Sequence, residues 1–273
     1  MASAGMVALP LTTPAWAQEN ACAPGAALAT GLCLRGDALV DALAVTGGGV
    51  RQGTALLGQV RLRLDADLGS AAGLDHWRFA ADVIGVYGRQ ITSDRVGSLA
   101  AVSNAEALTS VRLGELWLER DIGDAGSLRF GQLAADAEFA VADNAGNLLN
   151  GTFGWPVATA AALPAGGAAY PFAVPGVRFA LGNPAEGPFF RIGLFAGDPG
   201  GQHAPTTDPQ RHNRYGTLVP VNGGAFAIAE AGFADGTDLV LKLGAWFHNG
   251  GAEDQRRDAA GLSLADPASS GVP

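Results

Sequence analysis

Val60-Arg61-Leu62-Arg63-Leu64-Asp65-Ala66-Asp67-Leu68 is apolar at every even position and charged at every odd one. A strand sends successive side chains to opposite faces, so this stretch separates an apolar face from a charged face. Period-two segments recur near 76–87, 111–121, 127–134, 176–182, 189–196, 225–233 and 238–248, which makes eight. The connections at 69–75, 122–126, 183–188 and 234–237 are short, and those at 88–110, 135–175 and 197–224 are long. Short turns at one end and long loops at the other predict an antiparallel up-and-down meander. That is the arrangement of an outer-membrane barrel, with periplasmic turns and extracellular loops.

The faces can be assigned strand by strand. In 238–248, Leu239, Leu241, Leu243, Ala245 and Phe247 oppose Lys242, Gly244, Trp246 and His248. In 189–196, Phe190, Ile192 and Leu194 oppose Phe189, Arg191 and Phe195, and in 176–182 Val177, Phe179 and Leu181 oppose Arg178. Two segments are less tidy: Arg112 and Arg120 share the face of Leu116 and Leu118, and Glu230 that of Ile228. A soluble β-sandwich shows the same alternation, with its apolar face inside. Aromatic residues near strand ends (Trp77, Tyr87, Phe247), a polar face of Arg and Gly, and alternating loop lengths favour the barrel. Pattern alone leaves both architectures open.

Composition narrows the class. The 273 residues carry 40 Gly and 15 Pro and are 48 % hydrophobic, yet no apolar run is long enough for a membrane helix. A tilted strand crosses a bilayer in roughly 9–11 residues, so the membrane stays open. The formal charge of -9 argues against a nucleic-acid partner. Residues 1–17 read as a signal-peptide remnant that lacks a basic start but carries Ala15-Trp16-Ala17 before Gln18. Export lets Cys22 and Cys33 close a disulfide loop; the alternative is two unpaired thiols. Residues 18–58 are expected to form an N-terminal periplasmic segment, 59–273 a partial barrel, and 135–175 an inserted loop. A connection of that length is more than a hairpin needs.

No catalytic constellation emerges. Glu115 and Glu119 share a strand face at about 13 Å, beyond the 5–9.5 Å of a glycosidase pair. The four His are scattered, no metal-ligand spacing occurs, and no cofactor motif is found. A lumen reading is richer. Arg61, Arg63, Arg78, Arg129, Arg178, Arg191 and Lys242 form a positive set, with Glu115 and Glu119 opposite in charge. Opposed rows would orient polar solutes, and guanidinium forks can bind vicinal hydroxyls. Asp136, Asn144 and Asn150 of the long loop offer hydrogen bonds. Trp155 and Trp246 are candidates to stack on a pyranose, and for Trp155 packing behind the loop is the alternative.

Ordered pieces then carry a resemblance. Arg112-Leu113-Gly114-Glu115-Leu116-Trp117-Leu118-Glu119, Leu128-Arg129-Phe130-Gly131-Gln132-Leu133-Ala134-Ala135-Asp136 and Asn150-Gly151-Thr152-Phe153-Gly154-Trp155-Pro156 come first. Ala169-Tyr170-Pro171, Pro175-Gly176-Val177-Arg178, Leu194-Phe195-Ala196-Gly197-Asp198-Pro199 and Asp254-Gln255-Arg256-Arg257-Asp258 with Gly261-Leu262-Ser263 follow. Together they resemble the carbohydrate-selective, OprB-type porins. The resemblance implies a 16-stranded water-filled barrel in a Gram-negative outer membrane. It implies passive uptake of glucose-like sugars past an inward-folded loop, no enzyme activity, no cofactor, and contact with outer-membrane lipid; it leaves a homotrimer open. Since 273 residues supply about half those strands, the chain is expected to be a fragment or truncated gene product. The competing function is a secreted β-sandwich that binds or hydrolyses carbohydrate. On expression in a Gram-negative host, the mature chain is expected to begin at Gln18. A membrane-bound product that keeps Met1, read by amino-terminal sequencing, would refute the cleavage site.

Overall fold

A computed structural model describes residues 22, 25–142, 145, 148–202, 207–237, 239–250, 256–258 and 260–268. Residues 1–17 lie outside the described residues, as do Asp143, Asn144, Asn147 and His203. Among the described residues ten antiparallel strands form one sheet in strict chain order. They are β1 (Ala26–Ala29), β2 (Leu32–Val45), β3 (Gly53–Asp67), β4 (Trp77–Gly88) and β5 (Ser110–Ile122), then β6 (Gly126–Leu133), β7 (Val174–Asn183), β8 (Glu186–Ala196), β9 (Ala225–Asp235) and β10 (Val240–His248). A meander in a single sheet is the barrel-type order, not two facing sheets. Among the described residues β1 and β10 do not pair with each other.

The eight expected strands are all present, and two more precede them. β2 pairs with β3 from Leu32↔Ala66 to Val45↔Gly53, so much of 18–58 is sheet, and position 58 falls inside β3. The alternation of β2 is blurred by Leu39, Leu43 and Val45, which share a face with Arg35, Asp37 and Asp41. Cys22 and Cys33 are joined, which ties the chain ahead of β1 to the start of β2.

Three of the short connections carry side-chain caps. Asp67 accepts from Gly69 N and Ser70 Oγ to start helix α1 (Leu68–Ala72), and Gly73 ends it in the left-handed conformation. Asn183 accepts from Ala185 N at 2.9 Å and Asp235 from Thr237 N at 2.8 Å, both Asx-type turns.

The long connections contain helix α2 (Val157–Ala162), helix α3 (Pro209–His212) and several single turns. They interlock. Val50 N donates to Arg95 O, Asn104 N to Leu149 O, Gly151 N to Ala101 O, and Leu108 N to the Gln210 side chain.

Two faces result. On one, Leu62, Ile192, Leu194, Leu241, Leu243 and Phe247 stand in the open, with Leu243 81 % and Phe247 65 % exposed. The other carries the charges and is covered by the 135–175 segment. Ala135, Phe139, Leu163 and Ala168 of that segment pack with Trp117, Leu133, Phe195, Phe226 and Ile228 of the strands. The apolar core therefore lies between this connection and the sheet, and small Ala side chains let the backbone approach closely. Ile228 shares its face with Glu230 because both point inward, Ile228 into this core.

The untidy parity of 111–121 has a geometric cause. β4 and β5 pair Ala81↔Leu116 but Val83↔Leu113, so β5 carries an extra residue there. This β-bulge swaps the faces above it. Arg112 turns inward with Glu115, Trp117 and Glu119, while Arg120 stays outward over the Trp77 ring at 5.3 Å. Gly114 occupies the bulge; a Cβ there would sit 1.9 Å from Asp82 Oδ1, so any side chain would have to displace that buried carboxylate.

Candidate functional site: a charged inner wall and an inserted loop

The strand register lines up charges across the inward face. Arg63 is opposite Asp82, Arg78 opposite Glu119, Glu119 opposite Arg129, Arg129 opposite Arg178, and Arg191 opposite Glu230. Glu119, 2 % exposed, is the hub. It meets Arg78 at 2.8 Å, Arg129 at 2.7 Å and Arg178 at 2.5 Å. Arg63 meets Asp65 at 3.0 Å and Glu115 at 3.2 Å, and Arg191 meets Glu230 at 2.6 Å. Trp117 lies between two guanidinium groups, Arg129 at 3.9 Å and Arg63 at 5.5 Å from its ring centroid. The charges thus interleave and neutralise along the wall; Glu115 and Glu119 are bonded to the arginines rather than set across a gap from them. Arg61 and Arg112 are the exceptions: among the described residues no carboxylate lies within salt-bridge distance of either.

The 135–175 connection is fastened to this wall. Glu138 bonds Arg129 and, at 2.7 Å, Arg178. Ala140 N donates to Glu230 at 3.0 Å, Lys242 Nζ donates to Val141 O at 2.7 Å, and Ala134 N donates to Glu115 at 3.2 Å. Asp136 accepts from Tyr170 N at 2.8 Å, which closes the connection on itself. A cleft lined by Glu115, Arg129, Leu133, Glu138, Arg178 and Phe195 lies at this junction.

Of the residues singled out in the sequence, Glu115, Glu119, Arg129, Asp136, Arg178, Arg191 and Lys242 meet in this network. Asn144 lies outside the described residues. Asn150 sits where the connection touches 88–110; its carbonyl accepts from Phe153 N at 3.1 Å. Trp155 donates Nε1 to Gly166 O at 2.9 Å and packs edge-on against Phe226, so its ring supports the loop. Trp246 is 43 % exposed on the inward face of β10, beside Phe226. Sequence reasoning missed Asp82, Glu230 and Trp117 as network members and placed Arg112 on the wrong face. The mid-strand glycine at 114 was the available signal.

Residues 51–273 match the carbohydrate-selective porin, OprB family. The chain belongs to this family. It is also similar in fold to a solved structure described as the high-pH structure of Pseudomonas putida OprB. The TM-score is 0.66 at 19 % identity, and the match covers 85 % of this chain and 55 % of that one. The chain thus spans about half the length of that protein. No curated protein matches it. The OprB-family match begins at residue 51, near the start of β3, and includes every residue of the ion-paired wall and of the 135–175 connection.

Two loop carboxyls respond to this setting in opposite directions. Burial alone would raise Glu138, but Arg129 and Arg178 overcome it and hold its pKa at about 2. Burial raises Asp136 to about 6, against the Tyr170 N–H and with Glu115 adding to the rise. Linkage sets the signs. Glu138, depressed from 4.5, stabilises loop docking above that value, and the contribution is lost as pH falls toward 2. Asp136, raised from 3.8, adds a penalty that grows as pH rises from there through 6. Asp136→Asn should therefore increase protease resistance of 135–175 at pH 7 and change nothing below pH 3.8. Glu138→Gln should lower it at pH 7. Limited proteolysis across pH checks both; equal profiles for the two variants would refute the assignment.

Proposed function

We propose that this chain forms part of an outer-membrane porin wall through which sugars diffuse passively, without catalysis. The observation that carries the proposal is the division of one sheet into a solvent-exposed apolar face and a buried, ion-paired face with a long connection packed on it. In water an apolar belt this broad would be costly. Facing lipid, it needs no partner, and the strands between β1 and β10 satisfy their backbone groups in the ladder. The ion-paired face then borders a water-filled passage. Family membership favours carbohydrate as the solute, and we take it to be a glucose-like monosaccharide in a Gram-negative outer membrane.

The 135–175 connection is the proposed constriction. It is anchored to β5, β6, β7, β9 and β10 through the contacts of Ala134, Glu138, Ala140 and Val141. Backbone carbonyls, paired carboxylates and guanidinium groups beside aromatic rings suit a neutral polyol. They offer many hydrogen bonds and little net charge, so binding stays weak enough for release.

Two experiments test the reading in the complete protein. Replacing 142–168 by a short Gly-Ser linker should raise single-channel conductance and remove the preference for glucose over an uncharged non-sugar of similar size in liposome swelling. An unchanged preference would show that the constriction lies elsewhere. Ile192→Arg, on the apolar face of β8, should cost about 2–4 kcal/mol of folding into vesicles if it lies near mid-depth. Tolerance of that arginine would mean the face does not meet lipid.

A further inference from the structure

We propose that Arg112 is a positioning residue that couples the 135–175 and 197–224 connections and so sets the width of the passage beside them; the inference rests on the porin reading above. The bulge in β5 turns Arg112 inward, where it is 1 % exposed. It is the largest of the fully buried side chains, and among the described residues no carboxylate lies within salt-bridge distance of it. It makes two directed contacts. Nη2 donates to Asn213 O at 2.9 Å, and the guanidinium lies 4.8 Å from the centroid of the Phe172 ring. Among the described residues Nε and Nη1 have no hydrogen-bond partner.

Those contacts belong to different connections. Phe172, itself 2 % exposed, closes 135–175 just ahead of β7. Asn213 follows helix α3 and organises 197–224. Its side chain donates to Pro199 O at 3.0 Å and accepts from Leu218 N at 3.2 Å. Two further contacts hold 197–224 beside the bulge. Leu113 N, released from the ladder by the bulge, donates to Tyr215 O at 2.9 Å, and the Gln132 side chain donates to Gly216 O at 2.8 Å. On the other side Tyr170 Oη donates to Ala105 O at 2.9 Å. A displacement of either connection must therefore move the Arg112 fork or break one of its contacts.

Stability does not account for an arginine here. A buried guanidinium without a counter-ion is unfavourable, and apolar residues of similar size often replace buried ions without loss. Methionine could fill the volume. It could not donate to the Asn213 carbonyl that ends α3, and lysine would keep the charge but lose the planar fork that stacks on Phe172. The contacts explain the residue as a link between two segments.

The test uses the complete porin in which both native cysteines are disulfide-bonded, with Leu218→Cys as a reporter of 197–224. Phe172→Leu should speed maleimide labelling of that cysteine about fivefold or more with Arg112 in place, and should have no further effect in Arg112→Met, which labels fast from the start. Arg112→Met should keep or raise the midpoint of thermal unfolding while conductance rises and sugar block weakens; Arg112→Lys should fall between. A labelling rate that ignores Phe172, or an Arg112→Met that unfolds early with unaltered conductance when folded, overturns the proposal. A wild-type protein that shows the labelling linkage but no sugar-blocked current would overturn the porin reading and leave the mechanical coupling standing.

Discussion

Glu119 shares its buried carboxylate among Arg78, Arg129 and Arg178, drawn from three other strands. The rest of the inward face depends on that bond set. Three guanidinium groups this close would repel one another without a common anion, and removing one partner of a buried ion pair typically costs several kcal/mol. With Glu119 in place, Arg129 and Arg178 keep enough free donors to take a second carboxylate, Glu138, from the 135–175 connection. Loop docking is therefore built on the wall's own neutralisation. Ala140 and Val141 then reach Glu230 and Lys242 on β9 and β10.

The apolar contribution follows the same geometry. Phe139 lies next to Glu138 and inserts against Phe195 in an edge-on contact, while Arg191 lies 5.7 Å from its ring centroid. Charged and apolar contacts thus alternate along one short turn of chain. The ion pairs set its register, and the rings supply most of the burial. A wall made only of ion pairs would hold a loop loosely in water, and one made only of rings would not give it a unique position.

Most of the architecture could be read from period two. Leu241, Leu243 and Phe247 against Lys242 and Trp246, or Ile192 and Leu194 against Arg191, sort correctly from sequence alone because a strand's side chains must alternate. The short turns were legible for the same local reason: Asp67, Asn183 and Asp235 cap their own backbones. β2 was not legible, since Leu39, Leu43 and Val45 share a face with Arg35, Asp37 and Asp41 and remove the contrast. Nor was the inward turn of Arg112, because a bulge adds one residue and reverses the parity that the alternation relies on.

Which arginines and carboxylates bind each other lay beyond the sequence for a further reason. Arg63 and Glu115 are 52 positions apart, Arg178 and Glu119 are 59, and Lys242 reaches Val141 across 101. Local alternation determined that these groups share the inward face. Their partners were decided by strand register and by the path of the 135–175 connection, which set distances that no local pattern encodes. Trp155 shows the same limit: an indole beside a proline in a long loop could equally stack on a solute or support the fold. In the fold its indole N–H donates to the Gly166 carbonyl and its ring packs edge-on against Phe226, contacts set by the path of the chain around it and not by any local pattern.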